Sequence, residues 1–341
     1  MITTRDIAVR LELSVSTVGR ALADDPRISQ ETKSRVRQTA SEMGYVANRA
    51  ARMMRGASSN VVGLVIPDIR NGFYSTIAHE LSRNMETDGR QLILSETADD
   101  RMRELRHLTE LSASRVAGVI IVPTARPHPD SVRLFSRLPH VQLLRRHPSL
   151  GAQWFGIDDF QVLQEATAHL VALGHARIGY IGGPRALPTG AERLRGFHSA
   201  LREAGLPEET GTTRLGKPSS VTFGRQATRR LLDTADPPTA LVAGSVQLTL
   251  GVLEELDSRG VAVPQELSVV GFGDEPGFSW WGPGLTTVRL PVKQMATDCA
   301  LWLLNRLTTN PLDDTAHTSV SPGSLVVRGS TAPPRATPRR S

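Results

Sequence analysis

Apolar positions near the start of the chain recur at helical spacing. Ile7, Ala8 and Leu11 share one face of a first helix. Val18, Ala21 and Leu22 form the stripe of a second, for which Ser14 is a good N-cap. Two helices this short cannot bury their stripes alone, and Val36, Ala40 and Met43, on a third helix opened by Ser29, complete a small core. From residue 61 the pattern changes, and short apolar runs alternate with amphipathic stretches. The runs predict strands at 61–66, 91–94, within 116–122 and at 141–144, then a second series at 177–181, 241–242 and 267–271. The stretches between them predict helices at 75–85, 102–111, 162–173, 191–204, 224–233, 246–259 and 292–307. Such alternation predicts an α/β body of two doubly wound parallel-sheet subdomains behind an all-α helix-turn-helix head. Ligands in such sheets sit beyond the C-terminal strand ends.

Composition adds boundaries rather than identity. A chain of 341 residues, 39% hydrophobic and 22% charged, is ordinary for two or three globular domains. It has no run of eighteen apolar residues and no apolar leader, so neither a membrane span nor secretion is expected, and the expected location is the cytoplasm. The single cysteine, Cys299, sits in an apolar stretch and reads as a small buried hydrophobe. The net charge of +6 is unevenly spread: residues 1–58 hold ten Lys/Arg against six Asp/Glu, and the Pro-rich segment from Thr331 adds three arginines and no acid. The basic ends attract a phosphate backbone; the last of them, 331–341, has no apolar period and is expected to be disordered.

The second helix has the chemistry of a base reader. Ser16 and Arg20 point away from its buried stripe, with Val15 and Gly19 at the edges. An arginine there either takes a guanine in bidentate fashion, worth about 1–3 kcal/mol of discrimination, or meets a phosphate. Val15 suits a thymine methyl. Thr4-Arg5-Asp6-Ile7-Ala8 followed by Leu13-Ser14-Val15-Ser16-Thr17-Val18-Gly19-Arg20-Ala21-Leu22 resembles the head of the lactose/galactose repressor (LacI/GalR) family. Three departures stand out: Glu12 at the usual turn glycine, Gly19 at the usual serine, and Ala47 at the usual hinge proline. Glycine at 19 weakens the helix by up to about 1 kcal/mol relative to alanine.

The resemblance implies a periplasmic-binding-protein-like body and continues through it. Its anchors are Asp68-Ile69-Arg70-Asn71-Gly72-Phe73-Tyr74, Glu192-Arg193-Leu194-Arg195-Gly196-Phe197 and Val270-Gly271-Phe272-Gly273-Asp274. It implies four parts: a DNA-binding domain at 1–46, a hinge helix at 47–59, an effector-binding and dimerisation domain at 60–330, and a tail at 331–341. Chain crossings near Asp158 and Leu290 would give subdomain 1 at about 60–158 and 291–318, and subdomain 2 at about 159–290 and 319–330. The implied partners are a pseudo-palindromic double-stranded operator and a second copy of the chain, with dimer contacts from the helix near residues 73–85. The implied operator contacts are Thr4, Ser14, Val15, Ser16, Thr17, Gly19 and Arg20 in the head. In the hinge they are Asn48, Ala51, Arg52, Met54 and Arg55, with Met54 where the family has its intercalating leucine.

The candidate effector residues are Phe73, Tyr74, Arg145, Arg146, Arg193, Ser245, Gly273, Asp274 and Trp281. Arg193 matches a family arginine, but the family's acceptors for sugar hydroxyls are replaced: Arg145 stands for an aspartate, Gly244-Ser245 for an Asn-Asp pair, and Gly273 for an aspartate. Paired arginines suit carboxylate or phosphate, so the expected effector is carbohydrate-related with an acidic group, a sugar acid or sugar phosphate. The rival expectation is a degenerate pocket without small-molecule control. No nucleophile constellation or metal-ligand spacing is found, and Pro276 occupies the third glycine position of a dinucleotide motif begun by Gly271-Phe272-Gly273. The expected function is therefore a ligand-controlled transcriptional repressor with no cofactor and no catalysis.

Overall fold

The computed structural model describes residues 2–45, 59–207, 213–310 and 315–335, so all hinge residues singled out above lie outside the described part. The chain divides into two compact units, Met1–Ser58 and Ser59–Ser341.

The first unit has three helices, α1 (Thr4–Leu11), α2 (Val15–Leu22) and α3 (Gln30–Glu42). Each start is fixed by a local polar bond. The Asp6 carboxylate accepts the Thr3 backbone N–H at 2.8 Å, Ser14 Oγ accepts from Thr17 N at 3.0 Å, and Ser29 Oγ accepts from Thr32 N at 3.3 Å. The three stripes meet as expected: Ile7, Ala8, Val18, Ala21, Val36 and Ala40 form one buried cluster, edged by Leu11, Leu22 and Met43.

In the second unit, β1 (Val61–Ile66), β2 (Gln91–Glu96), β3 (Gly118–Ile121), β4 (His140–Leu143) and β5 (Trp154–Ile157) alternate with α4 (Gly72–Thr87), α5 (Arg101–Ala113) and α6 (Pro129–Phe135). The chain then crosses into α7 (Asp159–Ala172), β6 (Ile178–Gly182), α8 (Pro188–Glu203), β7 (Thr213–Leu215), α9 (Val221–Leu232), β8 (Ala240–Ala243), α10 (Val246–Arg259), β9 (Ser268–Phe272) and β10 (Thr286–Arg289). It returns with α11 (Val292–Thr309) and β11 (Thr318–Ser321), and ends in β12 (Ser324–Val326).

The first sheet has the order β11-β5-β4-β3-β1-β2, the second β12-β10-β9-β8-β6-β7. All neighbours are parallel except β12, which runs antiparallel to β10. β1 is buried at every position because helices cover both of its faces. Val62, Leu64 and Ile66 pack with Ile77 and Leu81 of α4 and Cys299 and Leu303 of α11, while Val61 and Val65 meet Leu108 and Leu111 of α5. Cys299 is fully buried there, and burial pushes its thiol up.

Both predicted crossings are present, and a third lies between β11 and β12. β11 pairs with β5 in the first sheet, so subdomain 1 extends to Ser321 rather than 318. The expected tail also begins too early. Ala332 N donates to Ser268 Oγ at 3.1 Å, its carbonyl bonds the His175 ring at 2.9 Å, and Thr331 Oγ1 bonds His169 at 2.9 Å. Backbone and hydroxyl bonds tie this segment without any apolar stripe.

In each sheet the strand order reverses once, between β1 and β3 in the first and between β6 and β8 in the second. Switch points of this kind open crevices at the C-terminal strand ends.

Candidate DNA-reading surface and effector cleft

On the head, the outward face of α2 carries exposed Val15, Ser16 and Arg20, opposite fully buried Val18 and Ala21. Arg20 has no ion-pair partner among the described residues and is free to meet a base or phosphate. Ser14 Oγ lies 2.8 Å from both Ser16 Oγ and Thr17 Oγ1, so the cap and two candidate contacts form one hydroxyl cluster. Thr4 begins α1 and, like Gly19, is half-buried. Glu12 closes α1 at φ 57°, ψ 37°, and its N–H reaches the carbonyls of Ala8 and Val9. The turn keeps the left-handed geometry that glycine favours, and a glutamate holds it at a conformational cost of about 1 kcal/mol or more.

In the body, the switch points face one cleft with ≈ 70 Å³ of enclosed free space. Its first-sheet wall carries Asn71, Phe73, Tyr74, Asp99 and Arg145; its second-sheet wall carries Arg193, Ser245, Val246 and Phe272. Phe73 and Tyr74 arrive on the first turn of α4, which Asn71 caps. Three non-glycine residues with positive φ, Ala98 (53°), Asp99 (62°) and Leu144 (63°), shape the loops that bring Asp99 to Arg145. Strain of this kind concentrates at functional sites.

The two cleft arginines are each engaged by a carboxylate. Arg145, 5% exposed, is bonded through its guanidinium to Asp99 and to the Pro123 carbonyl at 3.3 Å. Arg193 bonds Asp159 at 2.6 Å and the Gly244 carbonyl at 2.8 Å, and its guanidinium lies 4.0 Å from the centre of the Phe272 ring. Burial opposes the charge on Arg145, but Tyr74 and Asp99 outweigh it and its pKa is raised. Burial pushes Asp159 up, against the downward pull of Arg193. The Tyr74 hydroxyl feels both pairs, and desolvation raises its pKa. Behind Arg145, buried Glu104 accepts from Thr124 N at 2.7 Å; burial raises its pKa too.

This geometry corrects the expectation of surplus positive charge. Each guanidinium has a carboxylate partner; Asp99 lines the cleft and returns an acceptor there, whereas Asp159 engages Arg193 from the adjoining chamber. Neither was readable as a site residue in sequence, because each is a partner of an arginine distant along the chain.

Four other candidates stand elsewhere. Gly273 and Asp274 border a separate groove; Asp274 is clamped by Thr287 (3.1 Å), Arg289 (2.6 Å) and Arg328 (2.8 Å), at the edge formed by β10 and β12. Gly273 has φ 78°, and a Cβ there would meet Val246 at 2.4 Å. Trp281 packs on the core of subdomain 2, and Trp280 is 77% exposed. Arg146 lines an adjoining chamber. Ser245 does line the cleft, but its hydroxyl caps α10 and donates to the Pro218 carbonyl at 2.6 Å. Among the described residues no group of His, Cys, Asp and Glu could hold a metal, and no helix is long and apolar enough to cross a membrane.

Comparison with known proteins agrees with this architecture. Residues 3–48 match the bacterial regulatory proteins of the lacI family, and residues 167–331 match the periplasmic binding protein-like domain. The transcriptional regulator DegA of Bacillus subtilis is 30% identical over 301 residues, covering 87% of this chain and 88% of its own. The structure of the transcriptional regulator CelR–cellobiose complex is similar with a TM-score of 0.72 at 26% identity, covering 97% of this chain and 100% of that one. That of the lac repressor dimer bound to operator and the anti-inducer ONPF has a TM-score of 0.83 at 24% identity, covering 97% and 99%, and speaks for the fold. The relatives are regulators rather than enzymes. With a helix-turn-helix head and a two-sheet body that shapes a cleft, this chain belongs to the lacI family of bacterial DNA-binding transcriptional regulators.

Proposed function

We propose that the protein is a cytoplasmic repressor that binds a pseudo-palindromic operator as a homodimer, and that an uncharged, hydroxylated small molecule in the cleft governs that binding. The observation that carries the effector class is the pair of Arg–Asp couples on opposing walls, Arg145–Asp99 and Arg193–Asp159. The Arg145–Asp99 couple offers donor and acceptor side by side, and Arg193 reaches the cleft with its charge met by Asp159 behind it, which suits vicinal hydroxyls better than an acid. Phe73, Tyr74 and Phe272 supply apolar faces for a ring. The solved relative that holds cellobiose points the same way. Dimerisation is supported by β2, an edge strand whose Ile93 and Leu94 are 46% and 38% exposed beside α4. A two-fold dimer presents two heads to two half-sites.

The test is operator binding by fluorescence anisotropy, using a site selected from random duplexes, with and without neutral sugars, sugar acids and sugar phosphates. Neutral sugars are expected to shift operator affinity at millimolar concentration or below. A response to the acidic compounds alone would return the site to an anion receptor. A flat response to every compound would favour a regulator without small-molecule control.

A further inference from the structure

The three chain crossings gather at one side of the body. They connect β5 and β11, at one end of the first sheet, with α7, β10, α11 and β12, and β10 and β12 lie at one end of the second sheet. A rotation of one subdomain against the other about these crossings moves the opposite edges, β2 and β7, the farthest. At that far side the cleft opens into a groove with ≈ 270 Å³ of free space, and Pro67, Asp99 and Ser219 line both. Subdomain 1 supplies Asp68, Glu96 and Asp99, at and beyond the ends of β1 and β2. Subdomain 2 supplies Lys217, which follows β7, and the start of α9 at Val221 and Thr222.

The two walls carry opposite charge, and part of it is unused. Asp68 is forked by Arg70 at 2.9 Å, and Asp99 is bound to Arg145. Glu96 accepts the Ile69 N–H at 3.1 Å through one oxygen, and among the described residues no donor meets the other. Lys217 is exposed and has no ion-pair partner among the described residues. Its charge is nonetheless felt across the groove: Arg70 first, and Lys217 in addition, hold Asp68 below the usual carboxylate range. The positive end of α9 borders the same groove. We propose that Lys217 is a latch on the cleft: closure of the two subdomains brings its ammonium onto the free oxygen of Glu96, and this ion pair holds part of the ligand-free protein closed. The latch acts whatever the class of effector. Its strength is set by ionic strength, because a pair at the rim is screened by salt, whereas the buried Arg145–Asp99 couple is screened far less.

The test is the distance between nitroxides on Arg106→Cys of α5 and Gln226→Cys of α9, both exposed positions, measured by double electron–electron resonance in the full-length, ligand-free chain. Cys299 is fully buried and escapes labelling, and dilution with unlabelled chain restricts the signal to distances within one chain. The ratio of short to long distances is expected to fall about two- to five-fold between about 0.05 M and 0.5 M salt, the scale of an exposed ion pair. At low salt Lys217→Gln and Glu96→Gln should each lower the ratio by that amount, and the double variant by no more than either alone. Lys217→Arg should keep the closed population. A glutamine at 96 still accepts from Ile69 N, and thermal melts report whether each variant is folded. A distance distribution that neither salt nor any variant changes, or losses in the two glutamine variants that simply add, would overturn the latch. So would a salt response that persists in full in Lys217→Gln.

Discussion

Three arginines in two regions of this molecule do different work with the same side chain. Arg20 stands exposed on α2 without an ionic partner among the described residues, whereas Arg145 is buried and Arg193 half-buried in the cleft, each bound to an aspartate. In the head, on the proposed function, the guanidinium would offer its charge and its fork to an incoming polyanion. In the cleft the charge is already neutralised and only directed hydrogen bonds remain for a ligand. An arginine therefore signals an anion site only when the carboxylates around it have been counted.

The contrast can be broken by substitution, most severely in the cleft. Arg193→Ala leaves Asp159 buried and unpaired, and is expected to destabilise the body by about 3–5 kcal/mol in urea melts. If the loss is below about 1 kcal/mol, the couple is not the buried unit described above. Arg20→Ala should leave the melt within about 0.5 kcal/mol of the parent and weaken specific operator binding by about 1–3 kcal/mol. Equal losses on operator and on random duplex would make Arg20 a phosphate contact instead.

Smaller effects sharpen the comparison. Glu12→Gly should protect amides of residues 4–22 from hydrogen exchange by about 1 kcal/mol, because glycine takes the left-handed turn without strain. The head carboxylates and Glu104 of the body should also answer pH with opposite sign. Hydrogen bonds and ion pairs hold Asp6, Asp24 and Asp25 of the head below the usual carboxylate range. Their stabilisation is present above the unfolded carboxylate pKa and is lost as pH falls through the lowered folded values. Glu104 in the body is raised by burial, so its contribution is greatest at low pH and declines as pH rises from the unfolded value through the folded one. Protection of head amides, corrected for the intrinsic rate, should therefore fall as pH drops below 3.8, and Glu104→Gln should remove the Glu104 contribution to the change of body stability as pH rises above 4.5. A Glu104→Gln body that retains the full slope would exclude Glu104 as its source.

Legibility in the sequence divided along the same line. The head's stripe residues, caps and outward face were readable because a helix places residues three and four apart on one side, with no distant partner needed. The body's alternation was equally open, and the helix at 246–259 was bounded as observed. Shorter elements were missed: β5, β7, β10, β11 and β12 have three or four residues each and α6 seven, too few to show a period, and β11 misplaced a subdomain border. In the cleft, Phe73, Tyr74, Arg145, Arg193 and Ser245 were found. Arg146, Gly273, Asp274 and Trp281 fell outside, because a loop's direction after its strand is not written in its composition.

By itself the sequence determined the parts: a three-helix reader with an exposed arginine, two parallel-sheet subdomains, and the chain crossings near Asp158 and Leu290. The first two follow from local periodicity and from short-range rules of connection, and the crossings from the resemblance to the lacI family. Only the tertiary structure decided what the cleft can hold. Asp99 lies forty-six residues from Arg145, and Asp159 lies thirty-four from Arg193. Charge neutralisation acts through space, so it is settled by which strand ends the fold brings together and not by which residues are neighbours along the chain.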